Sequence, residues 1–168
     1  MDRVRASIGA LPEALLADPI AFLMAEHARQ RVLLGHLERL ARSQAGPAHG
    51  AIAGALVAWL ACELPMHLAD EGASVFPRLG TEAAEPLSAI RRDAAALDAA
   101  RLRLRADLAQ IATGGRVDAG LPDSVAAFVT LYRRRVAQEE GALFPLARRT
   151  LDGADRAAVA REMTERRQ

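Results

Sequence analysis

The chain has 168 residues, 51% of them hydrophobic and only 4% aromatic, with a formal net charge of +1. That length suits one domain with a real hydrophobic core, and the near-neutral charge excludes a general electrostatic surface for nucleic acid. A single cysteine, Cys62, excludes an internal disulfide framework and fits a reducing, cytoplasmic setting.

Alanine and leucine dominate while β-branched residues are sparse, which favours helices over strands. Residues 1 to 17 read as a lead-in with a short helical stretch, and lack the pattern of a secretory leader. Asp18-Pro19 marks a helix start, because Asp caps and Pro is tolerated in the first turn. Ile20, Leu23, His27, Leu34 and Leu37 then form one inward stripe on a helix ending near Ser43.

Gly46-Pro47 is a break. The second helix runs from about Ala48 to Ser74, with Leu56, Leu60, Leu64, His67 and Glu71 on one face. Pro65 should bend it and Phe76-Pro77 should end it. Its apolar run from Ala51 to Cys62 is too short to span a bilayer, so a soluble protein without membrane contact is expected.

A third helix reaches from Thr81–Pro86 to Ala112, with Leu87, Ile90, Ala94, Leu97, Leu104, Leu108 and Ile111 inward, and closes at Gly114-Gly115. The fourth starts near Leu121-Pro122 and aligns Phe128, Leu131, Arg135, Glu139 and Leu143 before Phe144-Pro145. Asp152 caps a short last helix to about Arg166. Four long amphipathic helices joined by short Gly/Pro breaks predict an all-α, up-down-up-down four-helix bundle in one domain over 1–168. The bundle core covers about 18–150 and the extra terminal helix about 153–167. Arginine runs at 133–135, 148–149 and 166–167 read as solvated helix faces, Arg135 excepted.

Two stretches repeat at one spacing. His67-Leu68-Ala69-Asp70-Glu71 leads to Phe76-Pro77, and Arg135-Val136-Ala137-Gln138-Glu139 leads to Phe144-Pro145. His27 precedes His67 by 40 residues, and Ala94 precedes Arg135 by 41. His67 and Glu71 are four apart, so they share one side of a helix. Two imidazoles and two carboxylates (His27, His67, Glu71, Glu139) from three helices thus converge on the interior. Buried ionisable groups are costly unless they coordinate a metal or satisfy one another. Singly, each residue is as well explained by core hydrogen bonding or by an i,i+4 pair. Glu63, one turn before His67, is a candidate to orient a ring nitrogen, and Tyr132 a candidate to border the pocket. Cys62 reads as a small core residue, and His36 and His49 lie away from the cluster.

With Glu26-His27, His67 to Glu71 with Phe76-Pro77, and Gln138-Glu139-Glu140 with Leu143-Phe144-Pro145, the chain resembles the hemerythrin-like, or HHE cation-binding, domains over residues 18 to about 150. The resemblance implies a bundle holding an oxo- or hydroxo-bridged di-iron centre that binds oxygen or responds to oxygen, nitric oxide or iron. It implies His27 and His67 on one iron and Glu71 and Glu139 bridging. The histidines of the other iron are replaced here by Ala94 and Arg135.

The Arg135 guanidinium is expected to stand in for the missing iron and bond both Glu71 and Glu139, since its planar fork suits carboxylates and it stays charged when buried. The alternative is that it snorkels to solvent. Two outcomes follow. In one, the surviving ligands hold a single iron or other divalent ion, in a binding or sensory module that takes a diatomic gas such as oxygen or nitric oxide and is not a turnover enzyme. In the other, no metal binds, and the bundle is a scaffold for an unknown protein partner or a homodimer. A mononuclear iron redox enzyme is a third reading. No phosphate loop, nucleophile arrangement or dinucleotide fingerprint is present.

Overall fold

The computed structural model describes residues 11–43, 48–116 and 118–168. Asp18 opens the first long helix: its Oδ1 accepts the Ala21 amide at 3.0 Å, and Pro19 fills the first turn, where no N–H is needed. This helix, α1, spans Pro19–Arg42. Helix α2 spans His49–Arg78 and α3 spans Ala84–Ala112. Helix α4 begins as Leu121–Gln138 and continues through Glu139–Leu143 and Phe144–Thr150. Helix α5, Gly153–Glu165, is capped by Asp152, whose Oδ1 accepts the Asp155 amide at 2.8 Å. A short 3-10 turn, Glu13–Ala17, precedes α1, and no strand occurs among the described residues. The expected break at Gly46-Pro47, like residues 1–10 of the lead-in, lies outside the described residues.

The close of α3 follows from glycine. Gly114 takes φ +83°, which a side chain resists, and lets the Gly115 amide reach back to the Gln110 carbonyl at 2.8 Å. Helix α1 packs on α2 and α4, and α3 packs on the same two helices, closing a four-membered ring. Short connections make sequence neighbours antiparallel, so this is the expected up-down-up-down bundle, with α5 laid across one end.

Three prolines, Pro65, Pro77 and Pro145, lie within helical turns. The helices do not stop at them; each is preceded by one wide, π-helical stretch, at Trp59–Glu63, Asp70–Val75 and Glu139–Leu143. The residue before each proline bonds five residues back: Leu64 to the Trp59 carbonyl, Phe76 to Glu71 and Phe144 to Glu139. An extra residue in the turn relieves the crowding between the proline ring and the carbonyl four residues before it. The stop expected at Phe76-Pro77 therefore moves to Arg78, and α4 runs through Pro145 to Thr150.

The apolar interior comes in two clusters. One gathers Leu33, Leu37, Leu56, Trp59, Leu64, Leu104, Phe128 and Tyr132; the other gathers Ile20, Leu23, Val75, Phe76, Leu143, Phe144, Val159 and Met163. Each large apolar side chain buried there contributes about 1.5–3 kcal/mol. By length and composition α2 is apolar enough to cross a membrane, with a window of mean hydropathy 1.5, yet its Leu56, Leu60, Leu64, His67 and Glu71 all face the bundle interior. Cys62, expected in the core, is exposed because it falls on the outer side of that helix. Leu131 is only half-buried at the rim of the first cluster.

Candidate metal centre

Between the two apolar clusters lies a layer of buried polar side chains. Helix α1 supplies Glu26, His27, Arg29 and Gln30; α2 supplies His67, Asp70, Glu71 and Ser74; α4 supplies Glu139. His27, Glu71 and Glu139 are 0% exposed and His67 is 2% exposed. Both glutamates sit on widened turns, which the prolines behind them produce. The wide turn is thus a local consequence of Phe-Pro that sets where each carboxylate enters the interior.

The four expected groups come together. The Nε2 atoms of His27 and His67 face each other at 3.1 Å. Glu71 Oε1 lies 3.1 Å from His67 Nε2 and 3.4 Å from His27 Nε2, and Glu139 Oε2 lies 3.4 Å from His27 Nε2. His27, His67 and Glu71 each present one ligand atom within 4.8 Å of the others. Glu71 Oε1 and both oxygens of Glu139 are buried without a hydrogen-bond partner. Glu139 Oε1 faces Arg135, whereas Glu71 Oε1 and Glu139 Oε2 turn to the imidazole nitrogens, where a cation would relieve about 1–3 kcal/mol for each unsatisfied group. Two imidazoles with carboxylate oxygen suit non-haem iron or another divalent first-row ion.

Glu140, which the sequence reasoning did not single out, orients the first ring. His27 Nδ1 donates to Glu140 Oε1 at 3.1 Å, which leaves the lone pair of the neutral ring on Nε2, toward the cluster. Glu140 is itself held by Arg31. Its place directly after Glu139 was the available signal. Glu63 does not orient His67. Its carboxylate accepts from Arg29 Nη2 at 2.6 Å, and His67 Nδ1 is buried without a partner; the long arginine of α1 reaches Glu63 first. Tyr132 is fully buried, stacks on Phe128, and donates its hydroxyl to Gln30; with His27 and Glu140 it lines a cavity of about 340 Å³. Burial, then the charges of Glu71 and Glu139, push its phenol well above the ordinary range.

Arg135 turns inward. Its side chain is 11% exposed, Nη2 donates to Glu71 Oε2 at 2.8 Å, and Nε lies 2.7 Å from Glu139 Oε1 in an ion pair without hydrogen-bond alignment. The snorkelling alternative is excluded. Ala94 keeps its expected face of α3, beside Ile90 and Leu97, but is exposed to an open cavity. Its methyl group is too short to reach the layer, which opens on the α3 side into a cavity of about 520 Å³.

Electrostatics follow from this crowding. Burial alone would lower the His27 imidazole, but Glu139 and Glu71 outweigh it and raise it to about 9. Burial, then the charge of Glu71, raise Glu139 to about 8. Burial works against ionised Glu71 as well, yet His67, His27 and Arg135 hold it well below the carboxylate range.

The arginines at 166–167 are not a solvated face. Asp70, fully buried beside Glu71, receives Arg166 Nη1 and Arg167 Nη2, each at 2.6 Å. Arg166 also bonds Ser74, and Arg78 of α2 bonds Glu162 of α5 at 2.6 Å. The terminal helix therefore fastens the wide turn that carries Glu71. By contrast Arg133 and Arg134 lie exposed, paired with Glu38 and Asp93.

A search of curated proteins finds no match for the chain. The family profile described as the hemerythrin HHE cation binding domain matches residues 18–147, which covers all four bundle helices to within three residues of the end of α4 and every residue of the polar layer. The chain belongs to the hemerythrin HHE cation-binding domain family.

Proposed function

We propose that this domain holds one iron or other divalent ion on His27, His67 and Glu71, with Glu139 as a further ligand, and that Arg135 takes the place of the second ion. One observation supports the reading above all: buried nitrogen and oxygen lone pairs from three helices converge at 3.1–3.4 Å while Glu71 Oε1 and Glu139 have no hydrogen-bond partner. Glu140 would hold His27 in the ligating tautomer, and Arg135 would neutralise the carboxylate oxygens turned away from the ion. When bound, a non-haem iron supplies a redox change and open positions for a diatomic gas such as oxygen or nitric oxide. The chain's own residues bury all four ligand side chains and hold the charge balance. This suits a binding or sensory module: the acids beside the cluster are already engaged, Glu140 by His27 and Arg31 and Asp70 by Arg166 and Arg167.

A second reading, a metal-free scaffold, is favoured by the contacts already made: Arg135 reaches both Glu71 and Glu139, and His27 Nε2 lies 3.4 Å from each carboxylate, so the layer can hold together without an ion. Metal analysis of protein from iron-supplemented culture separates the two. The first reading expects a stoichiometry near one per chain that is lost in His67→Ala. Metal-free protein whose melting temperature does not move when ferrous or zinc ion is added would establish the scaffold.

A further inference from the structure

The cavity of about 520 Å³ on the α3 side is a second place where chemistry can be bound, and it differs in kind from the polar layer. Its walls are apolar: Leu68 and Phe76 from α2, Leu87, Ile90 and Leu97 from α3. Its size falls in the range of about 300–1,000 Å³ found for small-molecule sites. Two small residues keep it open. Ala94 contributes only a methyl group, and a Cβ built on Gly72 meets nothing within 4 Å.

The charged groups facing this space are unevenly paired. Arg101 is fully engaged, donating to Asp98 at 2.7 and 2.9 Å and to the Leu60 carbonyl at 2.8 Å. That leaves Asp98 neutralised. Arg135 lines the inner end over the Phe76 ring, with its carbon 5.9 Å from the ring centroid. Its Nη2 and Nε are directed to Glu71 and Glu139, while Nη1 has no partner among the described residues, on a side chain that lines this cavity. Arg91, exposed on the α3 wall, likewise has no ion-pair partner among the described residues. An apolar chamber thus carries two unspent guanidinium donors and no unspent carboxylate. Guanidinium donors paired with apolar surface select a ligand having an anionic head and a hydrocarbon body.

We propose that this cavity binds a small amphipathic organic anion, its apolar body between Phe76, Leu87, Ile90 and Leu97 and its head group between Arg91 and Arg135. The site needs no metal, so it stands or falls separately from the ion proposed above. Where both are present, the ligand head would compete with Glu71 and Glu139 for Arg135, which couples its binding to the polar layer.

Octanoate serves as the probe, followed by titration calorimetry on the full chain treated with chelator, with octanol and octylamine as neutral and cationic controls. The proposal expects saturable one-to-one binding of octanoate, with either control at least tenfold weaker. Ala94→Trp, placed on an exposed position so that folding is kept, fills the chamber and should abolish binding at an unchanged melting temperature. Arg91→Gln should weaken octanoate about tenfold, as expected for one lost charge-assisted contact, and leave octanol unaffected. Equal binding of all three probes, no binding of octanoate, or full octanoate affinity in a folded Ala94→Trp would each overturn the assignment. Metal stoichiometry measured on the same preparations reports independently on the polar layer.

Discussion

Arg135 makes the clearest case for how one side chain redirects a site. It brings a permanent charge to a layer whose other cation, His27, exists only below about pH 9. Removing it while keeping bulk, as in Arg135→Met, leaves Glu71 and Glu139 facing each other without their cation. Breaking a buried pair from one side costs about 3–5 kcal/mol, and denaturant unfolding of the metal-free protein should show a loss of that size. The pH dependence has a definite sign. His27 rises from 6.5 to about 9 and Glu139 from 4.5 to about 8, so the folded metal-free protein binds more protons than the unfolded chain between those limits. That stabilisation is complete below the unfolded values and is lost as pH climbs through 8 and 9. Thermal melts should therefore fall from pH 6.5 to 9 without metal. With metal the ligands must be deprotonated, so the shift produced by added ion should widen over the same range. Glu140→Gln tests the orienting contact to His27 Nδ1, with a roughly 10–100-fold loss of metal affinity expected by competition titration.

At the scale of the element, the wide turns before Pro65, Pro77 and Pro145 and the fastening of α5 to α2 are the features that aim the carboxylates. Asp70 is where the fastening concentrates. Asp70→Asn keeps its size but removes the charge that draws Arg166 and Arg167, and should cost about 1.5–3 kcal/mol in urea unfolding. A loss of metal affinity in the same variant would show that the terminal helix positions Glu71. Much of the element pattern was legible in the sequence, because Asp18, Asp152 and Gly114-Gly115 act through local hydrogen bonds and dihedral preferences. The inward stripes of α1 and α2 were legible for the same reason: helical periodicity needs no partner to be read. Phe76-Pro77 was legible as the end of α2, which closes one residue later at Arg78; the wide turns were not, since a proline's lost donor is absorbed that way only when packing holds the surrounding helix. The docking of Arg166 and Arg167 on Asp70 was not legible, as it joins side chains 96 and 97 residues apart.

For the whole molecule, the division into two apolar clusters with a polar layer between them decides where chemistry can occur. His27, His67, Glu71 and Glu139 were legible because an internal repeat and helical spacing place them in one register. Glu63 was misread because helical spacing shows which face a carboxylate shares and not which arginine on another helix reaches it. The exposure of Ala94 was equally hidden, because periodicity places it on the inner face of α3 with Ile90 and Leu97 but does not show that its methyl group leaves a cavity there. If Ala94 and Arg135 alone separate this chain from a two-ion site, Ala94→His with Arg135→His should raise metal content from near one to near two per chain. Elemental analysis of the folded double variant at the parent's value would show that the third and fourth helices are aligned differently. The central claim is most directly tested by anomalous diffraction at the iron edge from crystals of iron-loaded protein. The account predicts one peak per chain, bounded by His27 Nε2, His67 Nε2 and Glu71 Oε1, with Arg135 still paired to Glu71. Two peaks, or a peak displacing the Arg135 guanidinium, would contradict it.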